Sequence, residues 1–271
     1  MSFEGLTTVN IELSSKCNKN CWMCGRRKIE RDYPKIKQNY GFMNFKILLK
    51  LARQIPKGLV IQFHNNGEPL MYPFLKEALE LFPDNIKTLN TNGKLIDKKQ
   101  KEVIDNLDTI VFSIIEEGYD EGFNQLLKIT NFLKFKGNKK PRVIFRCLGE
   151  IDIFRTNEFE NLAKQYGCLI TKRMLHDPMG SYNYKKPPVI PEIGICLEVL
   201  NKMVIDKDGN VSYCVRFDPK KELVYGHVDH DILQLLWRGE KRTEFVKNHV
   251  KGKRHLNEVC KQCDYWGCPK G

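Results

Sequence analysis

Hydrophobic and polar positions alternate along the first two thirds of the chain in two registers. Short β-branched runs with period two take turns with longer stretches whose apolar residues recur at helical spacing. TTVNIEL at 7–13 predicts a strand. MNFKILLKLARQI at 43–55 predicts a helix with Asn44 as its cap. LVIQF at 59–63 predicts a strand, and PFLKEALELF at 73–82 a helix opened by Pro73. IKTLN at 86–90, TIVFSI at 109–114, RVIFRCL at 142–148 and CLITKRM at 168–174 predict further strands. The segments between them, DKKQKEVIDNL, EGFNQLLKITNFLKF and TNEFENLAKQY, predict helices. Residues 14–27 read as a loop, and 28–42 as a basic, irregular stretch. Six βα-like units in about 175 residues imply an α/β fold with a parallel sheet wrapped by helices. An eight-fold barrel needs ~250 residues, so the expected architecture is an open, partial (β/α)6 barrel of the TIM type.

The pattern changes near residue 175. LHDPMGSYNYKKPPVIPE is rich in proline and has little periodicity, so 176–192 reads as a linker after a core spanning 1–175. ICLEVLNKMVIDKDGNVSYCV then predicts a β-hairpin turning at KDGN, within a small α+β unit over 193–271.

A length of 271 residues suits one large domain or a domain with an appendage. No apolar run is long enough to span a membrane, and MSFEGLTTV lacks the order of a signal peptide. These features lead us to expect a cytoplasmic protein. Ten cysteines in such a chain point to metal or redox chemistry more than to disulfides. The formal charge of +12 could attract nucleic acid, phosphorylated metabolites or an acidic peptide. The lysines are spread along the chain without interleaved aromatics, so a solvated basic surface is expected rather than a nucleic-acid interface.

The chemistry is concentrated in SSKCNKNCWMCG, which spaces Cys17, Cys21 and Cys24 as C-x3-C-x2-C. Three neighbouring thiolates can hold a four-iron cluster with one iron left without a protein ligand, and an open metal position is where a reactant is taken up. The alternative is a structural zinc site, which ordinarily recurs as C-x2-C pairs with four protein ligands. The loop and the strand before it resemble the radical S-adenosylmethionine (radical SAM) superfamily. That resemblance implies a [4Fe-4S] cluster on these three cysteines, with S-adenosylmethionine (SAM) on the free iron and a 5′-deoxyadenosyl radical as hydrogen abstractor. The family's aromatic residue before the third cysteine is Met23 here, with Trp22 one place earlier. NNGEPL resembles the family's GGEP motif, with Gly67 allowing close backbone approach, Glu68 offering an anionic partner to the amino group of SAM, and Asn66 replacing the first glycine. Thr91 and Asn92 in LNTNGKL, and Ser113 after the fourth strand, match further family positions near SAM. Lys128 and Arg146 are candidates for the cation that SAM's carboxylate requires. Cys147 and Cys168 lie on strands, where cysteine is usually a small buried hydrophobe.

Cys196 and Cys214 follow the pattern C-x12-G-x4-C, and Cys260 and Cys263 form a C-x2-C pair with Cys268 beyond them. This resembles the auxiliary-cluster domains called SPASM and, in the shorter form, twitch. The twitch form implies a second [4Fe-4S] cluster on Cys196, Cys214, Cys260 and Cys263. A four-cysteine zinc knuckle is the alternative. Cys268 is left over, and it or Cys147 could return a hydrogen atom to a substrate radical in an epimerase. The resemblance thus implies an oxidoreductase acting on a small polar substrate by dehydrogenation or epimerisation, fed by a one-electron donor such as flavodoxin or ferredoxin. A peptide-modifying radical SAM enzyme is the second reading, and a basic zinc-bearing nucleic-acid-binding protein the third.

Overall fold

In the computed structural model, residues 3–115, 118–173, 175, 196–215, 218–261 and 263 are described. The chain opens with β1 (Thr8–Ile11), followed by α1 (Gly25–Asp32), α2 (Pro34–Lys37) and α3 (Phe45–Gln54). Then β2 (Val60–Phe63), α4 (Leu75–Glu80), β3 (Ile86–Thr91), α5 (Ile96–Asn106) and β4 (Thr109–Ile115) alternate. They lead on to α6 (Tyr119–Lys136), β5 (Arg142–Leu148), α7 (Ile153–Tyr166) and β6 (Leu169–Arg173). The six strands lie side by side in chain order, each parallel to the next. A sheet that grows at one edge only, with a helix after each strand, curls into the expected partial barrel.

Local chemistry explains the helix boundaries. The Asn44 side chain accepts Lys46 N–H at 2.9 Å and caps α3. Asp152 accepts from Phe154 and Arg155 N–H at 2.9 and 3.4 Å at the head of α7, which stops at Gly167 in the left-handed region. The stretch 28–42, expected to be irregular, instead carries the end of α1 and all of α2. Its charges pair along the helix, Arg27 with Glu30 at 2.9 Å and Lys28 with Asp32 at 3.3 Å, while Ile29 is buried and Pro34 opens the next turn.

Strand alternation separates the two faces of the sheet. Val9, Ile11, Ile61, Phe63, Leu89, Phe112 and Phe145 pack with helix residues such as Leu48, Leu79, Phe132 and Phe159 in one continuous core. Phe112 meets Phe132 at 5.8 Å between ring centroids, and Phe145 meets Phe159 at 5.2 Å. The other face carries Asn10, Gln62, Asn90, Ser113 and Arg146 into a cavity of about 490 Å³.

The C-terminal region continues the same sheet. It begins with α8 (Leu197–Asn201) rather than with the first arm of the expected hairpin. Cys196 caps this helix, and Glu198 pairs with Lys202 at 2.7 Å, one helical turn on. β7 (Lys202–Ile205) adds to β1 in parallel, with Asn10 opposite Val204. β8 (Asn210–Ser212) and β9 (Val224–His227) follow antiparallel, giving nine strands in the order 6-5-4-3-2-1-7-8-9. The β7–β8 turn is at KDGN as expected, with Gly209 at φ +91°. α9 (Leu233–Arg238), α10 (Glu240–Val250) and α11 (Glu258–Lys261) complete the region. The expected linker at 176–192 lies outside the described residues. Among the described residues no helix is long and apolar enough to cross a membrane.

Candidate active site

Cys17, Cys21 and Cys24 all line the cavity at the carboxyl ends of the parallel strands. Cys24 is the N-cap of α1, where the helix dipole favours a thiolate. Burial pushes the Cys24 thiol up, opposed by the Arg26 N–H and the charges of Arg26 and Arg27. Burial also pushes Cys21 up, opposed by Lys19. The loop therefore holds its thiols partly out of water while surrounding them with cations. Asn92 adds a side-chain amide 3.8 Å from Cys17 Sγ and donates to Asn18 Oδ1 at 2.8 Å.

The loop after β2 is seated on this cysteine loop. A Cβ at Gly67 would run into the carbonyl oxygens of Ser14 and Lys16, and Glu68 N–H donates to Lys16 O at 2.8 Å. Glu68, 2% exposed, organises the next two strand ends. Its Oε1 accepts Leu70 N–H at 3.0 Å and Thr91 Oγ1 at 2.7 Å, and its Oε2 accepts Asn92 N–H at 2.8 Å. Burial nevertheless raises its carboxyl. Gln125, also buried, spans β3 and β4 by donating to Asn92 O at 2.8 Å and Ser113 O at 3.0 Å. Arg155 Nη2 holds the other end of Gln125 at 3.0 Å.

Met23, Gly67, Glu68, Thr91, Asn92, Ser113 and Arg146 all line the cavity with the three cysteines. Lys128 does not. Its Nζ donates to Lys94 O at 2.7 Å and pairs with Asp97 at 3.1 Å. The lysines and arginines that do line the cavity are Lys19, Arg146, Arg173 and Lys202. Cys147 is on the opposite side of β5 from Arg146, packed in the core, and burial pushes its thiol up. Cys268 lies outside the described residues.

Sequence reasoning passed over Asn10, Gln62, His64, Asn65 and Asn90, all of which line the cavity. Their signal was present as polar residues at every second position of otherwise apolar strands, in TVNIE, VIQFH and TLNT. Both faces of a parallel sheet are normally apolar, so this alternation marks a wet interior. Oδ1 of Asn10, Asn65 and Asn90 is buried without a hydrogen-bond partner among the described residues, an arrangement that suits a polar ligand.

Cys196, Cys214, Cys260 and Cys263 do not line this cavity, and the first two and the last lie within electrostatic reach of Cys260. Burial, followed by the charges of Cys214, Cys263 and Cys196, drives the Cys260 thiol upward. Arg254 faces the group and donates from Nη1 to Cys260 O at 2.8 Å and Cys263 O at 3.1 Å. Tyr213, beside Cys214, stacks on Phe245 at 3.9 Å and on Tyr225 at 4.3 Å.

Among the described residues no three or more Cys, His, Asp or Glu side chains are grouped as a single metal ion requires. Cys17, Cys21 and Cys24 all border one cavity, and thiolates are the donors an iron–sulfur cluster takes. The model of the SPASM family, an iron–sulfur cluster-binding domain, matches residues 196–264. An S-adenosyl-L-methionine-dependent 2-deoxy-scyllo-inosamine dehydrogenase from Niallia circulans is 22% identical over 264 residues, 94% of this chain and 92% of that protein. The crystal structure of BtrN in complex with AdoMet and 2-DOIA superposes with a TM-score of 0.63 at 20% identity, over 95% of this chain and 92% of that one. The chain is thus similar over nearly its whole length to a SAM-dependent dehydrogenase, and its C-terminal region matches the SPASM family. Streptococcus suis SuiB bound to S-adenosylmethionine also matches in fold, with a TM-score of 0.63 at 13% identity, over 96% of this chain and 72% of that one. The family match at 196–264 favours an iron–sulfur cluster over zinc in the C-terminal region.

Proposed function

We propose that the protein cleaves SAM reductively and uses the resulting radical to take a hydrogen atom from a small polar substrate, in a dehydrogenation or epimerisation. The observation that carries this reading is the convergence of the three loop thiols, the Gly67–Glu68 loop, Thr91, Asn92 and Ser113 on one cavity. A [4Fe-4S] cluster at the first site would supply the electron that cleaves SAM, and in a dehydrogenation a second cluster would accept the electron lost by the substrate radical as it becomes product.

Cys17, Cys21 and Cys24 hold the first cluster, and Cys196, Cys214, Cys260 and Cys263 the second. Gly67 lets its loop lie directly on the cysteine loop, beside the methionine end of SAM, and Glu68 fixes the Thr91 side chain and the Asn92 backbone that face the pocket. Arg146 offers a cation to SAM's carboxylate or to an anionic substrate group, a role for which Lys128 is badly placed. The unpartnered acceptors of Asn10, Asn65 and Asn90 favour a substrate carrying hydroxyl or amine donors. The dehydrogenase from Niallia circulans, named for an aminocyclitol, supports a small-molecule substrate of this kind. Cys147, turned into the core, is poorly placed as a hydrogen donor, which favours dehydrogenation. A reduced flavodoxin or ferredoxin would supply the electron, and a reducing cytoplasm would protect the clusters.

Anaerobic reconstitution followed by dithionite and SAM tests the reading. The expected outcome is 5′-deoxyadenosine, from protein holding iron and sulfide at roughly eight each per chain. Reconstituted protein that yields no 5′-deoxyadenosine would defeat it.

A further inference from the structure

Glu12 stands just beyond β1, between two segments that lie far apart in the chain. Its side chain is buried, with 4% exposed. Oε1 accepts the backbone N–H of Asn66 at 3.1 Å, and Oε2 accepts the backbone N–H of Lys207 at 3.1 Å. Asn66 directly precedes Gly67, whose fit against the cysteine loop leaves no slack. Lys207 opens the β7–β8 turn, which Gly209 N–H closes onto Asp206 O at 3.0 Å. The Glu12 backbone is itself tied to β7, donating to Ile205 O at 2.9 Å.

A carboxylate at this depth costs stability unless paired with a cation. No lysine or arginine side chain pairs with Glu12 among the described residues, and Asp206 adds repulsion. An apolar residue would fill a strand end more cheaply. The side chain makes sense as an acceptor that joins two distant backbone donors, with the Asn66 side chain adding to the bond on its side.

We infer that Glu12 is a positioning residue, a clamp that holds the loop at 64–68 in register with both the cysteine loop and the β7–β8 turn of the C-terminal region. Through it the C-terminal hairpin helps set the pose of the SAM-facing loop. The inference rests on the SAM reading of that loop given above.

The test measures SAM affinity on reconstituted, dithionite-reduced protein, from the change in the cluster's EPR spectrum as SAM is added. Glu12→Gln replaces one acceptor with a donor and should raise the apparent Kd about tenfold, with the SAM-free spectrum unchanged. Lys207→Pro deletes one clamped N–H at the first central position of a turn, where proline is well accommodated. It should raise the Kd about threefold, and it decides the matter if Glu12→Gln fails to load iron. Kd values within twofold of wild type for the loaded variants, with only iron content or thermal stability reduced, would leave Glu12 a merely structural residue and overturn the clamp. A wild-type spectrum indifferent to SAM would instead remove the SAM reading, and the clamp's purpose with it.

Discussion

The two cysteine sites draw their order from different sources. Cys17, Cys21 and Cys24 sit on one short loop whose conformation is imposed from outside, by the strand ends that carry Glu68 and Asn92. Cys196, Cys214 and the Cys260–Cys263 pair come from separate segments and are gathered by local devices: a helix cap, the Arg254 bonds to two carbonyls, and the stacked rings of Tyr213 and Phe245. The first site opens onto a polar cavity. The second contributes only its neighbours Glu198, Lys202 and Val215 to that cavity's lining. Under the function proposed above, a three-ligand site with a wet front would receive a reactant, and one closed by four ligands would pass electrons.

Removing ligands should break the comparison most sharply. Cys21→Ala is expected to lower 5′-deoxyadenosine formation at least a thousandfold, because the loop then lacks a full set of thiolates. Cys260→Ala is expected to keep SAM cleavage within about fivefold of wild type while product from any substrate that stimulates cleavage falls at least a hundredfold. Chromatography of both nucleoside and product on the same reaction checks the pair. Product formation unchanged by Cys260→Ala would remove the electron-accepting role and make the sites far less distinct.

A smaller effect should come from the frame around the first site. In Glu68→Gln, the three donors from Leu70, Thr91 and Asn92 face a group with a single acceptor oxygen. Leaving one buried donor unsatisfied costs ~1–3 kcal/mol, so the urea midpoint should fall. SAM-dependent cleavage should fall about tenfold at equal iron content, since Thr91 and Asn92 line the pocket. No such coupling should follow from Lys261→Gln, an exposed pair with Glu258 at 3.7 Å.

Most of this frame could be read from the chain, for physical reasons that also mark the limits. The cysteine loop was legible because its ligands are contiguous, and the βα units because strands and helices differ in period. The α1 end of 28–42 was missed because intrahelical ion pairs, not a broad apolar stripe, mark it, and α2 because a four-residue turn has no period to read. The parallel pairing of β7 with β1 was invisible because a strand's partner depends on residues nearly two hundred positions away. Glu68 was expected to face a ligand, and its three internal bonds emerge only once β2 and β3 are side by side. Asn10 and Asn90 had a visible alternation, but one polar residue per strand is a weak signal until the strands are assembled.

The smallest effect concerns pH, and it gives the two regions opposite signs. Near the first site, burial and then Asp206 push the Glu12 carboxyl up to about 7 against the two N–H bonds it accepts. Between the ordinary 4.5 and 7 the folded chain holds a proton that the unfolded chain releases, so this group's contribution to stability falls as pH rises through that window. In the C-terminal region His249 is 2% exposed, lies tilted against Phe245 at 4.8 Å between ring centroids, and has neither ring nitrogen hydrogen-bonded among the described residues. Burial, aided by Arg254, lowers it to about 4. Below 6.5 the unfolded chain takes up a proton that the folded ring refuses, so its contribution is intact above 6.5 and is lost as pH falls toward 4. Each term is on the order of 2 kcal/mol, a pKa unit being worth ~1.4 kcal/mol. Urea midpoints at pH 5 and pH 7 should therefore show a weaker gain with pH in His249→Phe than in wild type, and a stronger gain in Glu12→Gln. Equal slopes in all three proteins would mean that neither buried group titrates as its surroundings demand.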